Sequence, residues 1–200
     1  MPGMPESPNP QRRSEASRQA ILGSALQLCA EVGYGRLTVE AIAAHAAVSK
    51  KTIYRWWPSK GAVVLEALDD TMTTVADHPN TGDLTADLCT QLSGVIELLT
   101  PPSRSAAVGL IAEALHDDAL AQELRERIVR PRIANFERRM RQAQADGELT
   151  PDVDLDVALD LLYGPIFHRL VLHLGMPDAA QLRSLVEHAL RGISSPPATH

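Results

Sequence analysis

Two closely spaced helix starts most constrain what this chain can fold into. Thr38 lies between the apolar residues Leu37 and Ile42, and the same arrangement recurs eleven positions later around Ser49. A Ser or Thr at such a position accepts a hydrogen bond from an N–H group of the first helical turn, while the flanking apolar pair packs across the helix start. The pattern predicts two short helices joined by a tight turn, which is a helix-turn-helix unit.

Helices on either side complete this N-terminal unit. Apolar residues recur at helical spacing from Ser14 onwards, and Gly33 lies where the first helix would end. The residue before Pro58 is disfavoured in a helix, so the third helix is predicted to span Ser49–Trp57. Ser59 then caps a fourth helix. The first helix is predicted to bury the stripe formed by Ile21, Ala25, Leu28, Cys29 and Val32.

The rest of the chain continues as helices. Apolar residues keep a helical period through five further segments, and none alternates as a strand would, so we predict an all-α fold. Pro131 lies inside one of these segments and is expected to kink it. The segments are 83–99, 104–115, 118–145, 154–174 and 178–192. The predicted organisation is a disordered arm over 1–13, a helix-turn-helix domain over 14–58, a helical domain over 59–193 and a flexible tail over 194–200.

The charge distribution indicates a polyanionic partner. The net charge is −6, but residues 1–60 carry eight Lys or Arg against four acidic residues, whereas residues 61–200 carry eleven against twenty-one. A basic first third on an acidic remainder suggests that one end of the protein meets a polyanion.

Composition and motifs exclude several other classes. Two cysteines are too few for a disulfide framework or a zinc cluster. The chain shows neither a membrane-spanning apolar run nor a secretory signal, so we expect a cytoplasmic protein with no membrane partner. Without a phosphate loop, nucleophile elbow or dinucleotide motif, we expect neither enzymatic activity nor a cofactor. Glu113, His116 and Asp117 share a helical face, but His116 lies at a helix end just before Asp117, so we interpret it as a capping residue rather than as part of a metal site.

Three lysines occupy positions that helix stability disfavours. Lys50 and Lys51 lie in the first turn of the third helix, and Lys60 lies in the first turn of the fourth. A cation there opposes the helix dipole and costs up to about 1 kcal/mol. One such lysine would be read as a solvated surface residue. All three together favour helix starts that face phosphate, where backbone N–H groups and ammonium groups act together.

The other polar side chains of the third helix also suit DNA. Thr52 and Arg55 are expected to project outward, where Arg can bind guanine and Thr can contact a thymine methyl group. The Tyr54 hydroxyl and the Trp56 indole N–H can donate to phosphate, although a core position for Trp56 stays open. Flanking phosphates are expected to meet Arg36 and Thr38.

The segment TVEAIAAHAAVSKKTIYRWWPSK resembles the N-terminal signature of TetR-type transcriptional regulators, and the likeness covers about residues 16–65. It implies a recognition helix at Ser49–Trp57 that reads bases and contacts phosphates. Ala47 departs from the family, which often has glycine in the turn, and a left-handed alanine costs roughly 1–2 kcal/mol. The candidate DNA contacts are Arg36, Thr38, Ser49, Lys50, Lys51, Thr52, Tyr54, Arg55, Trp56 and Lys60.

Residues 155–174 are apolar on nearly every side, so a helix formed by them must be buried from several directions. In a small all-α domain, a second subunit is the easiest way to bury it. We expect this helix and the last one to form a four-helix bundle across a two-fold axis, which resembles the TetR-family dimer interface. The candidate interface residues are Leu162, Ile166, Leu170, Leu182, Leu185, Val186 and Ala189.

The resulting hypothesis is an Ω-shaped homodimeric repressor that binds a pseudo-palindromic operator in double-stranded DNA and responds to an unknown small-molecule effector. Residues 59–193 then form the effector-binding and dimerisation domain. The arginines between positions 125 and 141 are interpreted as a solvated helix face. Two alternatives stay open: a helix-turn-helix that docks on protein, and an activator with the same DNA contacts. The candidate pocket walls, each with a plain core role as its alternative, are Phe136, Met140, Tyr163 and Phe167.

Overall fold

Helices account for the regular structure throughout the described parts of the chain. The computed structural model describes residues 10–72, 79–101 and 103–194, and within these ranges it contains ten α-helices and no strand, which confirms the all-α prediction. No helix among them combines enough length and apolar character to cross a membrane. A 3₁₀ turn lies at Tyr34–Arg36, and a π-helical segment lies at Arg125–Val129. The helices are α1 (Pro10–Val32), α2 (Val39–His45), α3 (Lys50–Tyr54), α4 (Lys60–Met72), α5 (Leu84–Leu99), α6 (Ala106–Ala114), α7 (Asp118–Leu124), α8 (Arg130–Ala145), α9 (Leu155–Val171) and α10 (Ala179–Ser194).

The structure describes only part of the predicted N-terminal arm and of the predicted C-terminal tail. α1 begins at Pro10, four residues before the predicted start at Ser14, so the last part of the predicted arm is helical. α10 ends at Ser194, close to the predicted start of the tail. Residues 1–9 and 195–200 lie outside the described residues.

The chain divides into two compact units. The first contains α1–α4, α6 and most of α7, and the second contains α5, α8, α9 and α10. Within the first unit, α4 packs against α1 and α6 packs against α4. The boundary predicted between residues 58 and 59 separates the DNA-binding part from the effector-binding and dimerisation part, and it stays a prediction.

The helical run from α7 to α8 changes its hydrogen bonding just before Pro131, where the sequence predicts a kink. Pro131 has no N–H group to donate to the Arg127 carbonyl, and its ring crowds that carbonyl. The helix widens in response, so that the Arg130 N–H donates to the Arg125 carbonyl five residues earlier. A π-helical segment therefore lies just before Pro131, and the predicted kink of the helix axis stays a prediction.

Tyr34 closes the core of the first unit. Its side chain is buried, and its ring lies directly against Gly109 of α6. A Cβ atom at position 109 would overlap the Cβ and Cγ atoms of Tyr34, so glycine is required for this contact. Gly33 ends α1 as predicted, at a φ of 83°, and its missing Cβ leaves room for the Ser103 carbonyl. The turn after α1 is thereby packed tightly against α6.

One of the arginines between positions 125 and 141, which are interpreted from the sequence as a solvated helix face, lies in the core of the second unit. Arg139 is 4% exposed, and its Nη2 donates to Asp87 at 2.8 Å and to Glu148 at 3.3 Å. Burial alone would raise the pKa of Asp87, but hydrogen bonds from Arg139 and Thr81 lower it, so the carboxylate stays charged. The solvated interpretation is therefore wrong for Arg139. The sequence does not reveal this pairing, because contacts between α5 and α8 leave no periodic pattern in it. Surface ion pairs join two other arginines of this set to glutamates one helical turn earlier, Glu126–Arg130 and Glu137–Arg141.

Four residues predicted to face a partner subunit are buried within the protomer instead. α10 packs mainly against α5, and α9 packs against α8 and α10. These contacts cover one face of each helix, so the predicted interface role is wrong for the residues on those faces. Half-buried Leu170, Leu185 and Ala189 stay candidates for the interface. The four buried residues, each at most 2% exposed, are Leu162, Ile166, Leu182 and Val186.

The predicted pocket walls lie in three different environments. Phe136 and Met140 are 1% and 0% exposed, which matches their alternative role as core residues. Tyr163 is half-buried, and its ring meets Phe136 edge-on with 5.9 Å between the ring centres. Phe167 is 39% exposed, so it is not a core residue, and its assignment as a pocket wall stays a prediction.

Candidate nucleic-acid interface

Side-chain hydroxyl groups cap the N-termini of α2, α3 and α4, as the sequence predicts. Thr38 Oγ1 and Ser49 Oγ each accept a hydrogen bond, at 3.1 Å, from the N–H group three residues further on. Ser59 Oγ does the same at 3.2 Å. Each cap contributes about 1 kcal/mol. The caps therefore set where α2, α3 and α4 start and which way their first turns point.

Two buried side chains anchor α3. The helix is shorter than the predicted Ser49–Trp57, but its hydrogen bonding continues to Trp57, whose N–H donates to the Ile53 carbonyl at 2.9 Å. Ile53 and Trp57 are 0% and 3% exposed. Because these residues are one helical turn apart, they bury one face of the segment and leave the opposite face outward.

A hydrogen-bonded network that sequence reasoning missed holds the end of this segment. The Trp57 indole N–H donates to Glu66 Oε2 of α4 at 2.8 Å. Arg18 of α1 donates from Nε to Glu66 at 2.6 Å and from Nη2 to Asp70 at 3.0 Å. The sequence does contain one indication of this network, since Glu66 and Asp70 lie four residues apart and therefore share a helix face. Their partner is in another helix, 48 residues before Glu66, so the spacing alone does not find it.

The outward face of α3 brings together most of the side chains predicted to contact DNA. Ser49, Lys51, Thr52, Tyr54 and Arg55 line one open depression in the surface. Tyr54 is 54% exposed, a high value for a large aromatic side chain in a folded protein. The Thr52 hydroxyl lies 2.9 Å from Ser49 Oγ. The depression therefore presents hydroxyl, ammonium and guanidinium groups side by side.

Lys50 is held towards α2 by Glu40. Its Nζ lies 2.9 Å from Glu40 Oε1, and the two side chains are 55% and 61% exposed. This hydrogen bond raises the pKa of Lys50 and lowers the pKa of Glu40. An ion pair this exposed adds little to stability, so a phosphate or a base can replace the carboxylate at small cost.

The protein itself orients two arginines at the edges of this face. The Arg55 guanidinium lies 5.0 Å from the ring centre of Trp56, a cation–π contact. Trp56 is half-buried and meets Trp57 edge-on at 5.3 Å, so it supports Arg55 while part of its ring stays accessible. Arg36 is exposed, and its Nε donates to the Val32 carbonyl at the end of α1 at 2.8 Å.

Lys60, a predicted phosphate contact, already has partners within the protein. Its Nζ donates to the Tyr34 carbonyl at 3.3 Å and lies 4.5 Å from the centre of the Tyr34 ring. The same ammonium group lies 3.9 Å from Glu113 Oε2, and the Lys60 side chain is 26% exposed. A phosphate that binds Lys60 must share the ammonium group with these partners or replace one of them.

Ala47 adopts the left-handed conformation that the turn demands. Its φ is 53°, a region in which non-glycine residues are strained. The Ala47 N–H donates to the Ala44 carbonyl at 3.3 Å, and the Val48 N–H donates to the Ala43 carbonyl at 2.9 Å. This pair of hydrogen bonds is the Schellman arrangement that ends a helix, in which glycine usually holds the left-handed position.

We predict that Ala47→Gly increases the free energy of unfolding by about 0.5–1 kcal/mol. Strain relief of roughly 1–2 kcal/mol exceeds the greater entropy that glycine gives the unfolded chain, about 0.4–1 kcal/mol. Denaturant unfolding monitored by circular dichroism would measure the difference. Ala44→Gly, within α2, is the matched control and should lower stability by about 0.5–1 kcal/mol. Equal destabilisation by both substitutions would contradict strain at Ala47.

Two family models match the chain. The model described as bacterial regulatory proteins, tetR family, matches residues 21–67, and the model described as tetracyclin repressor-like, C-terminal domain, matches residues 78–189. All of the candidate DNA contacts lie inside the first match.

Individual relatives and a solved structure extend the likeness over most of the chain. The chain is 35% identical over 187 residues to the uncharacterized HTH-type transcriptional regulator YdeS of Bacillus subtilis, covering 94% of each protein. It is 30% identical over 187 residues to the DNA-binding transcriptional repressor TetR of Mycobacteroides abscessus, covering 93% of this chain and 98% of the relative. The crystal structure of the TetR family transcription regulator SCO0332 is 34% identical, with a TM-score of 0.73 over 90% of this chain and 99% of that chain.

Proposed function

We propose that this chain, which belongs to the TetR family and is therefore a DNA-binding transcriptional regulator and not an enzyme, represses transcription by binding a pseudo-palindromic operator as a homodimer. The observation that carries the proposal is the outward face of α3, where Lys51, Thr52, Tyr54 and Arg55 lie around one depression. These groups combine donors for phosphate with side chains that can read base edges.

In the proposed complex, α3 enters the major groove while its neighbours hold the DNA backbone. Lys51, Thr52 and Arg55 face the base edges, and Tyr54 donates its hydroxyl to a phosphate. Arg36 and Thr38 contact phosphates beside the groove. Two subunits related by a two-fold axis would place their recognition helices about 34–36 Å apart, or a multiple of that distance, on one face of the duplex.

The first test is selection of bound duplexes from a randomised pool, followed by titration of the selected duplex against salt. We expect a palindromic sequence and a steep fall of affinity with salt, because several phosphates are neutralised. The Lys50→Ala/Lys51→Ala variant should bind about ten- to a hundredfold more weakly at 0.1 M salt, since each lysine contact is worth about 1 kcal/mol or more.

A charge-matched control separates contact from net charge. Arg130→Ala/Arg141→Ala removes two exposed cations of the second unit, with side-chain exposures of 67% and 64%, and should bind the selected duplex as the wild type does. If both double variants lost affinity equally, the face of α3 would not be the contact surface. If the wild type enriched no sequence, the alternative of a helix-turn-helix that docks on protein would take its place.

An exposed apolar face of α9 supports the proposed dimer. Val157, Leu161 and Val171 are 49%, 46% and 69% exposed and lie on one side of the helix, opposite the buried residues. With Gly164 and His168 they follow the alternating spacing of four and three residues that is typical of a seam between two helices. A second copy of the chain is the occupant we propose, because regulators of this family bind DNA as dimers.

We predict that Leu161→Arg converts the dimer to a monomer at micromolar concentration. A buried guanidinium without a partner would have to be desolvated at the seam, which disfavours association. Sedimentation velocity measures the change. Leu115→Arg is the control, because Leu115 is an apolar residue of the first unit with 77% exposure, and this variant should stay dimeric. A dimeric Leu161→Arg protein would show that α9 is not the interface.

We also infer that an effector binds in the second unit beside Tyr163. The ring of Tyr163 packs edge-on against Phe136. Burial raises the pKa of Tyr163, while Gln91 and the nearby positive charge of Arg132 act in the opposite direction. A phenol beside a second aromatic ring favours a small molecule with both a ring and a hydrogen-bonding group.

A thermal-shift screen of small phenols, amides and organic acids tests this assignment. Compounds that raise the melting temperature of the wild type should bind Tyr163→Phe about tenfold more weakly, the value of one lost hydrogen bond. Calorimetry gives the affinities, and Tyr54→Phe, the same substitution on the DNA-facing helix, should leave them unchanged. Equal affinities for all three proteins would place the effector elsewhere.

A further inference from the structure

Lys60 sits at the centre of a cluster that joins α4 to α6. Its ammonium group has three contacts within the first unit, the carbonyl of Tyr34 at 3.3 Å, the ring of Tyr34 at 4.5 Å and Glu113 Oε2 at 3.9 Å. The side chains of Lys60 and Glu113 are 26% and 29% exposed, so the ion pair is largely withdrawn from water. Lys60 therefore has little of the freedom of an ordinary surface lysine.

Two glycines make this cluster possible. A Cβ atom at Gly61 would lie 2.7 Å from Glu113 Oε1 and 3.0 Å from a methyl group of Leu120, so the missing side chain leaves room for the carboxylate. Gly109, one turn before Glu113 on α6, provides the flat surface on which the Tyr34 ring packs. The position of Glu113 beside Lys60 is thus built into the packing between α4 and α6.

The electrostatic environment of Lys60 contains two opposing influences. It is the first residue of α4, where the helix dipole repels a cation and attracts an anion. Glu113 compensates for the repulsion when DNA is absent. A phosphate at the same helix start would be attracted by the ammonium group and by the positive end of the helix dipole. Phosphate and Glu113 consequently compete for one ammonium group.

We propose that Glu113 is a positioning residue that holds Lys60 in the unbound protein and competes with a DNA phosphate for it, so that Glu113 lowers the affinity for DNA. This inference rests on the proposed function, because it requires Lys60 to meet phosphate. It also assigns α6 a direct influence on DNA binding. Any displacement of α6 that moves Glu113 towards or away from Lys60 changes how readily the ammonium group is released.

A double-mutant cycle tests the competition. Glu113→Gln keeps the shape of the side chain and removes its charge, and Lys60→Met keeps an unbranched side chain and removes the ammonium group. Binding is measured with a duplex of mixed sequence at low salt, since phosphate contacts do not depend on sequence, and with the selected operator. Glu113→Gln should bind both duplexes about three- to tenfold more tightly, the range expected for breaking one partly buried ion pair.

The effect of Glu113→Gln should be much smaller in the Lys60→Met background, where only long-range repulsion remains. Long-range repulsion between the Glu113 carboxylate and DNA acts with or without Lys60, so the cycle cancels it. Lys60→Met alone should lower the slope of log affinity against log salt by about one, as the loss of one phosphate contact requires. Glu31→Gln, an exposed carboxylate of α1, adds the same unit of charge and should not reproduce the coupling.

The outcomes separate this inference from the proposed function. If the wild type bound neither duplex, the proposed function and the competition would both fail. If the wild type bound DNA but Glu113→Gln gained the same affinity with and without Lys60, Glu113 would act only through its charge at a distance. If Lys60→Met left the salt slope unchanged, the ion pair would have a structural role and the competition would be refuted, while operator binding would stand.

Discussion

The burial of Ile53 and Trp57 is the constraint on which the interface depends. A helix as short as Lys50–Tyr54 has no stability of its own in water, since nucleation is unfavourable and few hydrogen bonds follow it. Tertiary packing must therefore form α3 and set its rotation about its axis. Once these two side chains are buried, the direction of Lys51, Tyr54 and Arg55 follows from helical geometry alone. The surface offered to DNA is thus a consequence of the core.

Features of the fold with a local cause could be predicted from the sequence. Thr38 and Ser49 were expected to cap helices because their hydroxyl groups satisfy N–H groups only three residues away, and both do so. The left-handed strain at Ala47 followed from its place in the turn, and the φ of 53° agrees with it. The outward face of α3 was also found in this way. Each of these inferences needs only a few consecutive residues.

Features that depend on tertiary pairing could not be predicted. Nothing near Arg139 in the sequence shows that its partner is Asp87, and nothing near Arg18 indicates Glu66, because each pair joins residues about fifty positions apart. The prediction was wrong for four of the interface residues on α9 and α10 for a related reason. A helix that is apolar on every side must be buried, but the pattern does not say which side meets its own chain. Leu162 meets its own core, whereas Leu161 remains outward.

The lysines at the helix starts show how one arrangement can serve both the unbound and the bound state. A cation at the first turn of α3 or α4 destabilises that helix unless an anion lies close to it. Glu40 and Glu113 are those anions when DNA is absent, at 2.9 Å from Lys50 and 3.9 Å from Lys60. When a phosphate takes their place, the helix start keeps an anion and the carboxylate returns to water. Binding is then an exchange of one anion for another. The affinity therefore depends on the difference in free energy between the interaction with the carboxylate and the interaction with the phosphate. The cost of that exchange is the same for every DNA sequence, which leaves discrimination to the base contacts of α3.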